Sequence, residues 1–250
     1  MIPHDAIPLD DRGLLLGDGL FETMLAHDGV LPHLAAHLDR MAVGCETLNL
    51  PFDRAEAERL VRQAAPAAGR FAVRLTLTAG SGGRGLDRPA APVPRLFATA
   101  APSAPVTTPA TLIVAETRRN EGSPSARLKT LSYLDNVLAR AEAKAAGGDE
   151  AVMLNNRGEV ACAGAANLFW ISRGRLFTPR LDCGVLAGIT RARILALRPV
   201  EEVAASVEAL ETAEAVLLTN SLIGARPVSR LGDRTFEAHP LVEELRAALV

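Results

Sequence analysis

Lysine is almost missing from this chain. Of its 27 lysine and arginine residues only two are lysine, Lys129 and Lys144. A protein that uses arginine as its general surface cation leaves each amine to be explained separately. Lys144 lies in Arg140-Ala-Glu-Ala-Lys144, on an expected helix, where it can pair with neighbours or point into water. Lys129 stands between Leu128 and Leu131, just ahead of a helical pattern, where a cation is costly unless paired, neutralised or covalently used. An amine, unlike a guanidinium, can lose its proton and condense with a carbonyl. Taken alone, the position would also suit a surface lysine at a helix start.

Other scarcities narrow the field. The three cysteines, Cys45, Cys162 and Cys183, are odd in number, far apart and without metal-ligand spacing to the five histidines. That argues for a reducing compartment and against a structural zinc, so no metal site is expected. The net charge of −2 has no basic block behind it, which speaks against nucleic acid and against an anionic membrane surface. No apolar run is long enough to span a bilayer, and Asp5, Asp10 and Asp11 precede any apolar stretch, unlike a signal peptide. A cytoplasmic protein is expected. At 250 residues it is long enough for one large domain or two modest ones.

From Arg12 the sequence runs Gly13-Leu-Leu-Leu-Gly17-Asp18-Gly19-Leu20-Phe21-Glu22-Thr23-Met24-Leu25 to Asp28-Gly29, which reads as a tight loop, an apolar strand and a hairpin turn. Its glycine spacing is not a dinucleotide fingerprint, because no strand-loop-helix unit surrounds it. Leu34, Leu38, Met41, Cys45 and Leu48 recur every three or four residues, an amphipathic helix with Arg40 at the edge of its buried stripe. A second helix is expected near 54–65. The alternation Phe71-Ala-Val73-Arg-Leu75-Thr-Leu77 then predicts a half-exposed strand, which enters the loop Ser81-Gly82-Gly83-Arg84-Gly85. Glycines let a backbone approach a ligand and Arg84 could clamp a carboxylate, although a plain hairpin tip has the same composition.

After a strand near 94–100, the proline-rich segment 103–109 reads as a linker between a domain over 1–102 and another over 110–250. The second part opens with a strand at Thr111–Ala115 and Thr117-Arg118-Arg119-Asn120. A helix carrying Leu134, Val137, Leu138, Ala141 and Ala145 ends at Gly147-Gly148. Strand, turn, the small residues 161–166 and a second strand at Asn167–Ile171 follow. Gly188-Ile189-Thr190-Arg191 opens a helix whose first N–H groups could seat a phosphate or simply be capped. Thr219-Asn220-Ser221 closes a strand in polar side chains that could do the same or form a turn, and the last helix falls near 239–249.

In this order the motifs closely resemble the fold-type IV, or class IV aminotransferase, family of pyridoxal 5′-phosphate enzymes, from Gly17-Asp18-Gly19 through Thr219-Asn220-Ser221. The family includes branched-chain and D-amino-acid aminotransferases and 4-amino-4-deoxychorismate lyase, an enzyme of folate biosynthesis. Lys129, with Leu131, Leu134 and Asn136 behind it, resembles the family's Schiff-base lysine. Arg40, in His37-Leu38-Asp39-Arg40-Met41, is similar to its phosphate-binding arginine. Ile189 and Thr190 look like the turn whose amides hold the phosphate, and Ser221 falls where a hydroxyl completes the cup. Asn167 lies in the matching Asn-Leu-Phe strand. Phe21 occupies a position where some members place a tyrosine, and Arg84 resembles an arginine that receives a substrate carboxylate. The resemblance implies an α/β (α+β) enzyme with a small α/β N-terminal domain and a larger C-terminal domain with a barrel-like sheet. It also implies a cofactor in the cleft between the halves, a homodimer, and a small amino substrate bearing a carboxylate.

One position departs from the family pattern. Four places after Gly158 and five before Asn167, where a glutamate pairs with the pyridine nitrogen, this chain has Cys162. Glu159 is three residues away, on the opposite face of a strand, and is not expected to replace it. Protonation of that nitrogen makes the ring a strong electron sink, on which a transaminase leans heavily. A lyase that expels pyruvate as its substrate becomes aromatic has another source of driving force. Cys162, with the resemblance of the segments 81–85, 167–170 and 219–222, therefore favours conversion of aminodeoxychorismate to 4-aminobenzoate and pyruvate. The alternatives are a branched-chain or D-amino-acid aminotransferase working with a 2-oxo acid, or a catalytically weak scaffold with a binding role.

Overall fold

The computed structural model describes residues 6–249, which leaves Asp5 outside. It divides into two compact units. The first comprises the chain through Ala104 together with Leu128–Ser132; the second comprises Pro105–Arg127 and the chain from Tyr133 onward.

Unit one contains α1 (Arg12–Leu16), β1 (Gly19–His27), α2 (Leu34–Thr47), α3 (Arg54–Ala64), β2 (Arg70–Thr78) and β3 (Arg95–Pro102). The three strands form an antiparallel sheet in the order β1-β2-β3. Residue alternation decides its two faces. Leu20 and Met24 of β1 and Val73, Leu75 and Leu77 of β2 point into a core closed by Leu38, Met41 and Cys45 of α2 and Ala57 and Val61 of α3. Burial pushes the Cys45 thiol up to about 11, so it behaves as one more apolar group. Phe21, Arg74 and Thr76 alternate with these residues on the opposite face. The Asp28-Gly29 turn forms, with positive φ at both residues, but it closes only the single bridge His27↔Val30. The partner of β1 is β2, from Gly19↔Thr78 to His27↔Arg70. Pro32, two residues past Val30, has no N–H to continue a hairpin ladder.

The other edge of β1 receives residues 128–132. Phe21 N donates to the Lys129 carbonyl at 2.9 Å, Leu131 N donates to Gly19 O at 3.0 Å, and Leu20 bridges Thr130. Gly19 and Gly80 fit only as glycine, since a Cβ would collide with the carbonyl oxygen of Leu77 or of Val93. The loop after β2 is tied down by arginine. Arg12 donates to Leu86 O at 2.7 Å and Asp87 O at 3.0 Å, while Asp18 accepts from Arg12 Nε and Arg88 Nε, each at 2.9 Å. Burial raises the Asp18 carboxyl, but the two guanidinium groups outweigh it and hold the group below its usual range.

Unit two contains β4 (Ala110–Val114), α4 (Pro124–Arg127), α5 (Leu134–Ala145), β5 (Glu150–Leu154), β6 (Val160–Ala163), β7 (Asn167–Ser172), β8 (Arg175–Pro179), α6 (Ile189–Leu197), β9 (Val200–Val203), α7 (Glu208–Glu211), β10 (Ala215–Asn220), β11 (Gly224–Leu231), β12 (Arg234–Thr235) and α8 (Pro240–Ala248). Its nine-stranded mixed sheet has the order β6-β5-β4-β11-β10-β7-β8-β9, with β12 on β11, and curls into a half-barrel. One face is filled by Leu112, Val152, Leu168, Trp170, Val216 and Leu218. Across β7 and β10, Phe169, Ile171 and Leu217 face the other way, onto Ile194 of α6 and Val242 and Leu245 of α8. α5 covers a third patch with Ala139 and Ala143 against Ala151, Met153 and Cys162. The larger apolar residues of α5, Leu134, Val137 and Leu138, face outward. Among the described residues no helix is long and apolar enough to cross a membrane, and no His, Cys, Asp or Glu cluster could hold a metal ion.

Candidate functional site

In unit one, the pairing of residues 128–132 with β1 sets Lys129 opposite Phe21, so both side chains leave the same sheet face. Lys129 Nζ stands 4.2 Å from the centre of the Phe21 ring. Arg74, diagonal to Phe21 on β2, places its guanidinium carbon 3.7 Å from the same centre. Both distances are within cation–π range. The sequence reading did not pick out Arg74. Its signal was one cation in the middle of the alternating strand, on the register of Phe21 rather than of Val73 and Leu75.

Arg40 is also in unit one. Its Nε donates to Glu22 Oε1 at 2.8 Å and its Nη2 to Glu22 Oε2 at 2.6 Å, while His37 Nδ1 lies 2.7 Å from Oε2. Glu22 and His37 are each 1% exposed and Arg40 17%. Burial pushes the Glu22 carboxyl up, but hydrogen bonds and charge from Arg40 and His37 prevail and hold it below its ordinary value. His37 and Arg40 are one turn apart on α2, which the sequence displays. Their carboxylate partner lies on β1, and only packing brings it to them. Arg84 is exposed, between glycines at the tip of the loop that Arg12 and Arg88 anchor.

Unit two gathers a different set. Asn167 donates to Leu186 O at 2.9 Å, and its Oδ1 abuts Gly188, leaving no space there for a Cβ. Gly188 is the N-cap of α6 and offers no side-chain acceptor, so the first-turn N–H groups at Ile189 and Thr190 lack an intrahelical partner. Arg191 fixes the orientation of that turn by donating to Pro179 O at 3.1 Å and pairing with Glu202. Thr219 stands opposite Asn167 in the β10–β7 ladder, and its fully buried Oγ1 has no hydrogen-bond partner among the described residues. Ser221 follows directly at the end of β10.

Cys162 is 6% exposed in β6. Burial pushes its thiol up; Arg119 pulls it down and Glu150 pushes it further up. Arg119, a second residue left without a role by the sequence, is itself buried. It donates to Ala126 O at 2.6 Å, Asn136 Oδ1 at 2.9 Å and Gly184 O at 3.1 Å, and Asn136 Nδ2 donates to Gly164 O at 2.7 Å. Glu159 turns away from Cys162. It accepts from Asn155 Nδ2 at 2.7 Å and Arg157 Nε at 2.9 Å, and these bonds, with Arg157 the stronger influence, pull its carboxyl down to about 2.

Residues 19–231 match the model for class IV aminotransferases, and the chain belongs to that family. It is 31% identical to the aminodeoxychorismate lyase of Vibrio harveyi over 91% of this chain and 88% of that one. A Methanocaldococcus jannaschii protein assigned to the branched-chain-amino-acid aminotransferases is 32% identical over 90% of this chain and 82% of its own. The crystal structure of 4-amino-4-deoxychorismate lyase from Pseudomonas aeruginosa superposes with a TM-score of 0.90 at 33% identity, covering 99% of this chain and 95% of that one. Class IV aminotransferases and aminodeoxychorismate lyases use pyridoxal 5′-phosphate.

Proposed function

We propose that this protein is a pyridoxal 5′-phosphate-dependent lyase that converts 4-amino-4-deoxychorismate to 4-aminobenzoate and pyruvate. The observation that carries the reading is the shared Phe21 ring, which sets a lysine amine and an arginine guanidinium on one sheet face. Together they provide a covalent anchor and a carboxylate receptor for a small amino acid-like substrate.

The residues present fit the cofactor's phosphate. The orphaned Thr219 hydroxyl, the uncapped N–H groups of Ile189 and Thr190, and a Gly188 with no room for a side chain make an anion seat, to which Ser221 adds a hydroxyl. In unit one, Arg40, oriented by Glu22 and His37, is the residue that resembles the family's phosphate-binding arginine. Once bound, pyridoxal phosphate supplies an aldehyde that takes up amines and a ring that accepts electron density from the carbon beside the nitrogen. Lys129 Nζ is the amine that would hold the cofactor through that aldehyde. It then takes the proton from the substrate ring carbon that bears the amine. The bond from the neighbouring ring carbon to the enolpyruvyl oxygen breaks, the ring becomes aromatic, and Lys129 returns the proton to the enolpyruvyl methylene carbon. Arg74 orients one substrate carboxylate and Arg84, on its anchored loop, the other.

The competing reading is a transaminase, which Arg74 and Arg84 would serve equally well. Buried, neutral Cys162 favours the lyase, because aromatisation does not need a protonated ring nitrogen. Purified enzyme given aminodeoxychorismate is expected to release 4-aminobenzoate and pyruvate in equal amounts. Arg74→Met is expected to raise KM roughly 10- to 100-fold, the loss of one charge-assisted carboxylate contact. Keto acid formed from D-alanine or leucine with 2-oxoglutarate, without 4-aminobenzoate from aminodeoxychorismate, would reverse the assignment.

The proposal includes a homodimer. Leu14, Leu15 and Leu16 of α1 are 58%, 62% and 43% exposed, an apolar run that a second copy would cover. Sedimentation is expected at twice the chain mass, and a monomer at working concentration would remove this part.

A further inference from the structure

Unit two contains a buried positive charge that pairs with no carboxylate among the described residues. Arg119 is 6% exposed, and its three donor nitrogens end on Ala126 O, Asn136 Oδ1 and Gly184 O, all neutral acceptors. It forms no ion pair among the described residues. Buried guanidinium groups are ordinarily matched by an anion. The hydrogen-bonded chain from Arg119 through Asn136 to Gly164 fixes it relative to the strand that carries Cys162.

Three described carboxylates in this part of the unit are engaged elsewhere, and the first, Glu121, packed with Arg119 against Gly184, accepts from Asn156 N at 3.0 Å and pairs with Arg157 at 3.4 Å. Glu150, the acidic group acting on Cys162 from β5, accepts from Arg140 Nη1 of α5 at 2.7 Å and from Ala151 N at 3.1 Å. Glu159 is held by Arg157 and Asn155. Cys162 belongs to an apolar cluster with Ala115, Ala139, Ala143, Ala151, Met153 and Ala161. Cys162 occupies the place where the family pattern has a glutamate, so this strand carries no carboxylate at that position.

We infer that the Cys162 end of the cofactor site is electropositive, and that the pyridine nitrogen of pyridoxal phosphate bound to this protein stays unprotonated at neutral pH. This rests on the function proposed above. A proton on that nitrogen would add a second positive charge beside a fixed buried one, in surroundings that solvate neither well. The raised thiol of Cys162 supplies no compensating anion. Without the ring proton the cofactor withdraws less electron density, which suits an elimination driven by a new aromatic ring and handicaps transamination.

The test uses holoenzyme loaded with cofactor carrying 15N in its ring. Borohydride reduction and peptide mapping first establish whether the cofactor is on Lys129. No adduct there would overturn the proposed function, and this inference with it. With the adduct in place, the 15N resonance of the native protein is expected in the free-base range and fixed from about pH 6 to about pH 8. Cys162→Glu is expected to move it upfield into the protonated range, while Cys162→Ser leaves it unchanged. A protonated signal from the native Lys129 adduct would overturn this inference alone and needs no variant to be seen. A Cys162→Glu protein that binds the cofactor with an unshifted nitrogen would also overturn it.

Discussion

Lys129→Ala is expected to remove the borohydride-reducible adduct and to lower kcat by at least about 10³-fold, since the proposed function makes one group both covalent anchor and proton carrier. Little else should change. The segment is held to β1 by main-chain bonds from Phe21 and Leu131, and these do not involve the amine. Leu128 keeps its place against the unit-one core. The thermal midpoint of the variant should therefore lie near that of the native protein. Steady-state rates with peptide mapping check both halves, and an alanine variant that turns over normally with an adduct in the same peptide would end the functional reading.

Glu22→Gln should have the largest effect on stability. It leaves Arg40 and His37 around a neutral amide, and breaking a buried ion pair by removing one partner costs about 3 to 5 kcal/mol. The pH dependence follows from the depressed carboxyl. In the unfolded chain Glu22 titrates near its ordinary value of 4.5, and in the folded protein it titrates lower. Its contribution is therefore complete above about 4.5 and is lost as pH falls through the folded value. Urea unfolding should show a gap between native and Glu22→Gln protein that is full at neutral pH and closes towards acid. A gap that stays constant down the acid limb would mean that Glu22 is not ionised in the folded protein.

The sequence made the regular elements plain wherever a period was sustained. α2 and α3 begin and end within about two residues of their patterns, and β2 follows its alternation. α1 has only five residues, too few to display a period, and so read as a loop. β11 is interrupted by Pro227 and a register shift at Val228, and gave no clean alternation. In α5 the spacing of Leu134, Val137 and Leu138 marks one helix face, but the core took the alanine face, because Ala139 and Ala143 let the helix lie close to β5. Spacing alone does not say which of two faces is buried. The site divided in the same way. Lys129 stood out by the rarity of its amine and Cys162 by what it replaces. Glu22, Arg74 and Arg119 take their meaning from partners distant in sequence, and only the fold supplies those.

The return of residues 128–132 to unit one bears on how the chain matures as it leaves the ribosome. When Ala104 has emerged, α1 through β3 are all present, yet one side of β1 still presents unsatisfied main-chain groups to any neighbouring nascent strand. That side closes only after more than twenty further residues have been made, with the segment that carries Lys129. The Lys129 amine thus arrives on the same short stretch that seals the sheet, so a chain truncated before it lacks both that amine and a protected edge.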